Sequence, residues 1–301
     1  MSARVAAAPS FAKINIGLNI LQKRSDGYHN LETIFQQVDI ADTIQLAVDD
    51  APKSRITVST TEKTLPVDES NLAYRAAVAF LEKAGLKKKI NIHIKKKIPI
   101  GAGLGGGSGN AATVLLLLQK LTNTLTPENL MAIGTKLGAD VPFFIEGGCS
   151  YATGIGDELT PIRICRNFHV FIVVPSNRIS TKWAYDNYRI HLTKCQNSVK
   201  LSSFITNAEN DSRWRDIVRN DFEPLIFSKF SEMKAIKEKM YSAGAFYASI
   251  SGSGSAVYGL FCDKEMAFKC GELFRFCDSA FLASPVQWGF KEVAAALALE
   301  G

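Results

Sequence analysis

Hydrophobic alternation is the first pattern along the chain. In FAKINIGLNI, residues 11–20, Ile14, Ile16, Leu18 and Ile20 recur at every second position, which is the period of a half-buried strand. Lys13, Asn15 and Asn19 therefore face the other way, with Lys13 and Asn15 neighbours on that polar side. An Asp26-Gly27 turn leads into a second strand-like stretch, and further strands are predicted near residues 43–48 and 56–59. NLAYRAAVAFLEKAG has the spacing of an amphipathic helix closed by Gly85. INIHIKKKI is a strand with Ile90, Ile92 and Ile94 inward.

PIGAGLGGGSGNAATVLLLL, residues 99–118, then places six glycines among residues 101–109 and runs directly into apolar sequence. Residues 111–121 are apolar nearly all round, which predicts a buried helix. Thr126 offers an N-cap with Pro127 at the first helical position, and Gly138 stops that helix. Asp140 follows two residues later, just before Pro142, and residues 142–162 read as short strands and turns.

Near residue 160 the pattern changes. FHVFIVVP is a buried strand, STKWAYDNY a short helix, and residues 197–211 are polar and irregular. Helices follow near residues 212–219 and 229–242, the latter ending at Gly244. Next come the strand FYASI, a second glycine loop SGSGS, the strand AVYGLFC, a helix near 264–276 and the strand AFLAS. This strand–helix–helix–strand–strand–helix–strand order suits a ferredoxin-like α+β unit. The predicted organisation is two domains, residues 1–160 and 161–284; the tail 285–301 either completes the first or stands outside both. No fixed-period repeat is present.

A chain of 301 residues with 47% apolar and 21% charged residues has room for one large domain or two ordinary ones, each with a real core. No apolar run approaches the length of a membrane span. MSARVAAAPSF lacks the apolar centre of a signal peptide, so a cytoplasmic location with no membrane partner is the expectation. None of the six cysteines forms a C-x-x-C pair, so reduced thiols are expected, with no metal site. The net charge of +6 favours anionic partners. Its densest runs, LKKKI and IKKKI, lack interleaved aromatics, so a solvated strand face is favoured over nucleic-acid binding. A basic rim that attracts nucleotide phosphates is compatible with that reading.

The glycine loop has several rivals to exclude. A flexible linker separates units, whereas this loop joins a strand to a buried helix inside one. Gly101, Gly103 and Gly106 satisfy G-x-G-x-x-G, but a dinucleotide fold needs another strand soon after the helix, and a second helix comes instead. Gly107 occupies the lysine position of a Walker loop, and H-R-D and D-F-G are absent. Phosphate binding survives these exclusions. Glycines let backbone N–H groups approach an anion, and a helix N-terminus adds partial positive charge. Ser108, at the junction, has a hydroxyl for phosphate or a bound Mg2+.

FAKINIGL, SDGYHNLETIF, PIGAGLGGGSGNAA, LGADVPFF and SGSGSAVYG, in this order, resemble the GHMP superfamily of small-molecule kinases. That family includes galactokinase, homoserine kinase and mevalonate kinase. The set is most similar to the branch whose acceptor is a cytidine diphosphate conjugate of methylerythritol, in non-mevalonate isoprenoid synthesis. A mevalonate- or homoserine-kinase-like activity is the alternative. The resemblance spans about residues 10–284. It implies a two-domain fold, with an N-terminal ribosomal-protein-S5-domain-2-like domain and a C-terminal ferredoxin-like domain. It also implies ATP and Mg2+ as cofactors, and a monomer or weak homodimer.

The implied catalytic residues are Asp140, which takes or orients the acceptor proton, and Lys13, which stabilises the aspartate and the developing charge. For ATP they are Pro99, Gly101, Gly103, Leu104, Gly105, Gly106, Gly107 and Ser108 around the phosphates, with Asn71 and Lys97 near the nucleoside. For the acceptor they are Asn15, Tyr28 stacking on the base, His29 reading its edge, and Tyr185 as the opposing aromatic. Gly252, Ser253 and Gly254 belong to a loop that either closes over substrate phosphates or is a plain hairpin turn. Gly109 departs from the family pattern, which has a second Ser there.

Overall fold

A computed structural model describes residues 3–164, 166–188, 201–207, 213–275, 277 and 279–286. The chain opens with a long antiparallel pair, β1 (Arg4–Lys23) and β2 (His29–Asp50), followed by β3 (Arg55–Thr60), α1 (Leu72–Ala84) and β4 (Lys88–Lys95). Then come α2 (Gly106–Thr122), α3 (Pro127–Leu137), α4 (Val141–Glu146), β5 (Cys149–Thr153) and β6 (Glu158–Pro161). β1 to β6 make one sheet in the order β3-β4-β2-β5-β6, with β1 along the remaining edge of β2. β3 and β4 are parallel and the other pairs antiparallel.

The second half contains β7 (His169–Val173), α5 (Thr181–Asn187), α6 (Leu201–Asn207), α7 (Trp214–Ile217), α8 (Glu223–Lys229) and α9 (Ser231–Ser242). It ends with β8 (Tyr247–Ile250), β9 (Val257–Phe261), α10 (Lys264–Glu272) and β10 (Ala280–Ala283). Its four strands form an antiparallel sheet in the order β10-β7-β9-β8. That places the fourth strand beside the first and the third beside the second, as expected for the ferredoxin-like unit.

The layers follow from strand periodicity. Phe35, Ile44, Leu46, Val48, Ile90, Ile92 and Ile94 turn to α1–α4. Ile14, Ile16, Ile34, Val38 and Ile40 turn the other way and share a core with Val170, Ile172, Tyr258 and Leu260 of the second sheet. Phe171, Val173, Val257 and Phe261 point from that sheet to its outer helices. Residues Gly109 through Leu118 of α2 are buried without a break, as the all-round apolar pattern predicts. Each fully buried leucine there contributes roughly 1.5–3 kcal/mol.

Three expectations need correction. β1 is buried on both faces, because Lys13 (5% exposed) and Asn15 (3%) lie under a polar cleft rather than in open solvent. Its pairing with β2 also shifts near Gly17, so Ile14 and Ile16 enter one core while Leu18 and Ile20 enter another. Residues 141–146 are helical, with Val141, Pro142, Phe143, Phe144 and Ile145 all buried. Within the stretch expected to be irregular, α6 forms because Leu201, Phe204 and Ile205 share one buried stripe. The helix expected over 229–242 is present as α9, and the unforeseen α8 is separated from it at Phe230, which has φ −128° and ψ 76°.

Residues 284–286 return to β2: Asp39 N–H donates to Ser284, Val286 N–H donates to Gln37, and the Gln36 amide donates to Val286. The beginning of the tail thus joins the first sheet, while residues 287–301 lie outside the described residues, as do Cys165, Cys195, Ser212 and Phe276. Cys149, Cys262, Cys270 and Cys277 are free thiols, and burial pushes the Cys149 thiol up to about 12. Among the described residues no helix is long and apolar enough to cross a membrane.

The two sheets meet tightly at Gly103. Its φ is +79°, and a Cβ there would sit 2.2 Å from the Ser251 carbonyl oxygen. Gly103→Ala is therefore expected to lower stability by at least about 2 kcal/mol in a denaturant titration. An unchanged midpoint contradicts this packing.

Candidate active site

A cleft of about 1050 Å³ opens where the sheets meet, walled by β1, the glycine loop, the start of α4, α5 and the loop after β8. The glycine loop works through backbone shape. Gly101, Gly103 and Gly105 each take positive φ (70°, 79° and 71°) and alternate with Ala102 and Leu104, both buried. Gly105 is the left-handed N-cap of α2 and brings no side chain to cap it. The first-turn amides of Gly106, Gly107 and Ser108 consequently have no intrahelical partner, and they add to the positive end of the helix dipole. The loop is held rigidly: Lys13 N–H donates to Leu104 and Ala256 N–H to Ala102, both at 3.0 Å.

Lys96 reinforces that positive end. Its ammonium would lie 3.0 Å from a Cβ on Gly106, and it pairs at 2.6 Å with the fully buried Asp42 carboxylate. Asp42 also accepts the Lys97 and Ile98 N–H groups, both at 2.8 Å. This fixes the chain as it enters the loop.

Beside the loop lie Lys13 and Asp140. The Lys13 ammonium is 3.5 Å from the Asp140 carboxylate, and their side chains are 6% and 31% exposed. It also donates to Asn15 Oδ1 at 2.5 Å and lies over the Phe35 ring. The Asn15 amide donates in turn to Thr33 Oγ1 at 3.0 Å. Asp140 stands at the N-cap of α4 but makes no side-chain cap bond, so its carboxylate is left for the cleft. The buried apolar residues of α4 anchor it, and Phe144 packs so closely on Gly105 that a Cβ there would meet the ring at 2.6 Å.

Aromatic groups line the far end. His29 stacks on Tyr185, with centroids 5.4 Å apart and planes at 25°. Tyr185 meets Phe222 edge-on at 4.9 Å, and Tyr28 is 62% exposed at the mouth. Burial, and secondarily the Lys23 charge, pushes the His29 pKa below the ordinary value, so the imidazole is neutral at pH 7. Burial, aided by the Asp140 charge, pushes the Tyr185 hydroxyl up to about 12.

The cleft thus brings together Lys13, Asn15, Tyr28, His29, Pro99, Gly101, Gly103, Leu104, Gly105, Gly106, Gly107, Ser108, Asp140, Tyr185, Gly252 and Ser253. Three residues expected near ligands stand elsewhere. Asn71 is the N-cap of α1, accepting from Ala73 N–H and donating to Pro66, and it is off the cleft wall. Lys97 is exposed and off the wall too, because strand alternation turns Lys96 inward in its place. Gly254 closes the turn with its N–H on the Ser251 carbonyl and does not line the cleft. Gly109 is accounted for as well: a Cβ there would lie 3.0 Å from the Phe11 carbonyl, so this position faces β1 and not the phosphate side.

Sequence reasoning missed Lys96, Thr181, Lys182 and Phe222 on the wall and Asp42 behind it. The inward phase of the IKKKI run was the available signal for Lys96. The others depend on contacts between distant segments. Among the described residues no group of three or more His, Cys, Asp or Glu side chains is placed to hold a metal ion.

The family model for the N-terminal domain of GHMP kinases matches residues 71–148, and that for the C-terminal domain matches residues 204–270. The fold is that of a GHMP small-molecule kinase. The 4-diphosphocytidyl-2-C-methyl-D-erythritol kinase of Chlorobium limicola is 42% identical over 260 residues, covering 86% of this chain and 89% of its own. A crystal structure of 4-(cytidine 5'-diphospho)-2C-methyl-D-erythritol kinase superposes with a TM-score of 0.77 at 32% identity, over 93% of this chain and 99% of that one. Homoserine kinase from Cytophaga hutchinsonii, 22% identical over 93% of this chain and 96% of its own, shares the fold with a TM-score of 0.74. The chain belongs to the 4-diphosphocytidyl-2-C-methyl-D-erythritol kinase family.

The lowered His29 pKa has a consequence for stability. The unfolded chain takes up a proton on this imidazole before the folded one does, so the contribution is intact above about pH 6.5 and lost as pH falls below it. An NMR titration should place the His29 midpoint below 6.5, and a midpoint above 7 contradicts its burial.

Proposed function

We propose that this chain transfers the γ-phosphoryl group of ATP to the 2-hydroxyl of 4-diphosphocytidyl-2-C-methyl-D-erythritol, giving the 2-phosphate and ADP. One observation carries the reading: the Lys13–Asp140 pair, the α2 glycine loop and the His29–Tyr185 stack share one cleft. In the transfer the acceptor oxygen bonds to the γ-phosphorus as the bond to the ADP oxygen breaks. Asp140 accepts or orients the hydroxyl proton. Lys13 pairs with the Asp140 carboxylate and offsets the charge that builds on the moving group.

The amides of Gly106, Gly107 and Ser108 face the ATP phosphates, with Pro99, Gly101, Gly103, Leu104 and Gly105 shaping the loop around them. Lys96 supplies the side-chain cation that a Walker lysine supplies elsewhere. Asn15 supports Lys13 at the acceptor side. A neutral His29 has one donor and one acceptor for the cytosine edge, which offers an amino donor and ring acceptors. Tyr28 and Tyr185 flank the base, and such stacking is worth about 1–3 kcal/mol per base. Gly252 and Ser253 border the substrate phosphates.

Mg2+ suits the donors present. The Ser108 hydroxyl and the Asp140 carboxylate are one hard ligand each, consistent with an ion held mainly by phosphate oxygens and water. When bound it neutralises phosphate charge. The reaction takes place in the cytoplasm, where ATP is supplied.

Mevalonate and homoserine carry no base for His29 to read, which favours the cytidyl acceptor. Offered the cytidyl substrate, mevalonate, homoserine and galactose side by side, the protein should release ADP at high rate only with the first. Asp140→Ala, still folded by thermal melt, should lose about 10²–10⁴ of kcat. High turnover of mevalonate, or near-native kcat in Asp140→Ala, contradicts the proposal.

A further inference from the structure

We propose that Ser251, which does not line the cleft, is a positioning residue for phosphoryl transfer, its hydroxyl tying the glycine loop and the lysine-bearing strand into one unit. The inference rests on reading Lys13 and that loop as the transfer machinery.

Ser251 is completely buried. Its Oγ accepts the Asn15 N–H at 3.2 Å and donates to the Gly103 carbonyl at 2.8 Å. One hydroxyl thus spans two segments that lie far apart in sequence. It uses its single proton and one lone pair in doing so. Neither alanine nor glycine can do both.

Each end of this link leads to the chemistry. Asn15 Oδ1 accepts the Lys13 ammonium, so the placement of Asn15 sets that of Lys13. The Asn15 carbonyl is held from the same sheet as Ser251 by the buried Tyr258 hydroxyl at 2.6 Å. Gly103 is the middle left-handed glycine of the loop, three residues before the amides of the α2 N-terminus. The second sheet therefore grips the strand by both polar groups of one peptide residue and grips the loop at its centre.

Ser251 is itself immobilised. Its N–H donates to Ala256 and its carbonyl accepts Gly254 N–H, both at 2.9 Å. The buried Asn220 amide donates to the carbonyls on either side of Ser251, Ile250 at 3.0 Å and Gly252 at 2.9 Å. Asn220 Oδ1 accepts the N–H of Phe222, which also lines the cleft. The hydroxyl is thus presented from a fixed base. A shift of about 1 Å between reacting groups costs on the order of 10²-fold in rate, so a link holding Lys13 against the phosphate loop acts on kcat.

The test compares native protein with Ser251→Ala and Ser251→Thr, using the acceptor that the native enzyme turns over. If the native enzyme does not use the cytidyl acceptor, the functional reading fails; the link is judged only by the variants. Ser251→Ala should lower kcat about 10- to 100-fold while KM for ATP and acceptor stays within about threefold. Ser251→Thr, which keeps the hydroxyl, should recover most of the loss. Hydrogen exchange at the Asn15 amide, read without any acceptor, should quicken in Ser251→Ala alone. If Ser251→Ala does not fold, Tyr258→Phe releases the other side of Asn15 and should show the same loss confined to kcat. A kcat within twofold of native, a loss shared in full by Ser251→Thr, or a proportional rise in both KM values overturns the proposal.

Discussion

A lysine ammonium buried beside the cleft is the constraint on which the rest of this structure depends. Lys13 is nearly sealed from solvent, and an isolated buried cation is costly unless paired and hydrogen-bonded. Its partners are spread over the fold: Asp140 at the start of α4, Asn15 on its own strand and the Phe35 face on β2. Each must be delivered by a different element. The strand must present its polar side inward, α4 must begin at the cleft, and the β1–β2 pair must be long enough to carry both Phe35 and the lysine.

The cores serve that requirement. α2 is buried over ten consecutive residues, so its N-terminus, with the unpaired amides, cannot drift from the strand that carries Lys13. Close backbone approach does the same locally, at Gly105 against Phe144 and at Gly103 against Ser251. The ferredoxin-like sheet contributes packing through Tyr258 and Leu260 and polar grips on β1 and the loop. The geometry of the cleft on one sheet is thus maintained by the other.

Much of this was legible in the sequence, and the reasons for success and failure are physical. Alternation in FAKINIGLNI correctly put Lys13 and Asn15 side by side, because strand period is local. It could not show that the polar side is buried, since the covering elements arrive a hundred residues later. The glycine spacing gave the loop because positive φ is written in residue type, at Gly101, Gly103 and Gly105. Asn71 was expected near the nucleoside, whereas its position before an amphipathic helix marks an N-cap, and it does not line the cleft. Lys97 was expected near the nucleoside, although alternation from Ile94 turns Lys96 inward. Asp42, Asn220 and Ser251 act through contacts across the fold, and no local pattern announces them.

The most direct test of the central claim, that Lys13 and Asp140 act as one unit, is a single-turnover measurement of phosphoryl transfer in Lys13→Met, Asp140→Asn and the double variant. Each single change should slow transfer by about 10²–10⁴. The double variant should be no more than about threefold slower than the worse single one, because groups that act as a unit are lost together. Losses that multiply in the double variant would show two independent groups and contradict the claim.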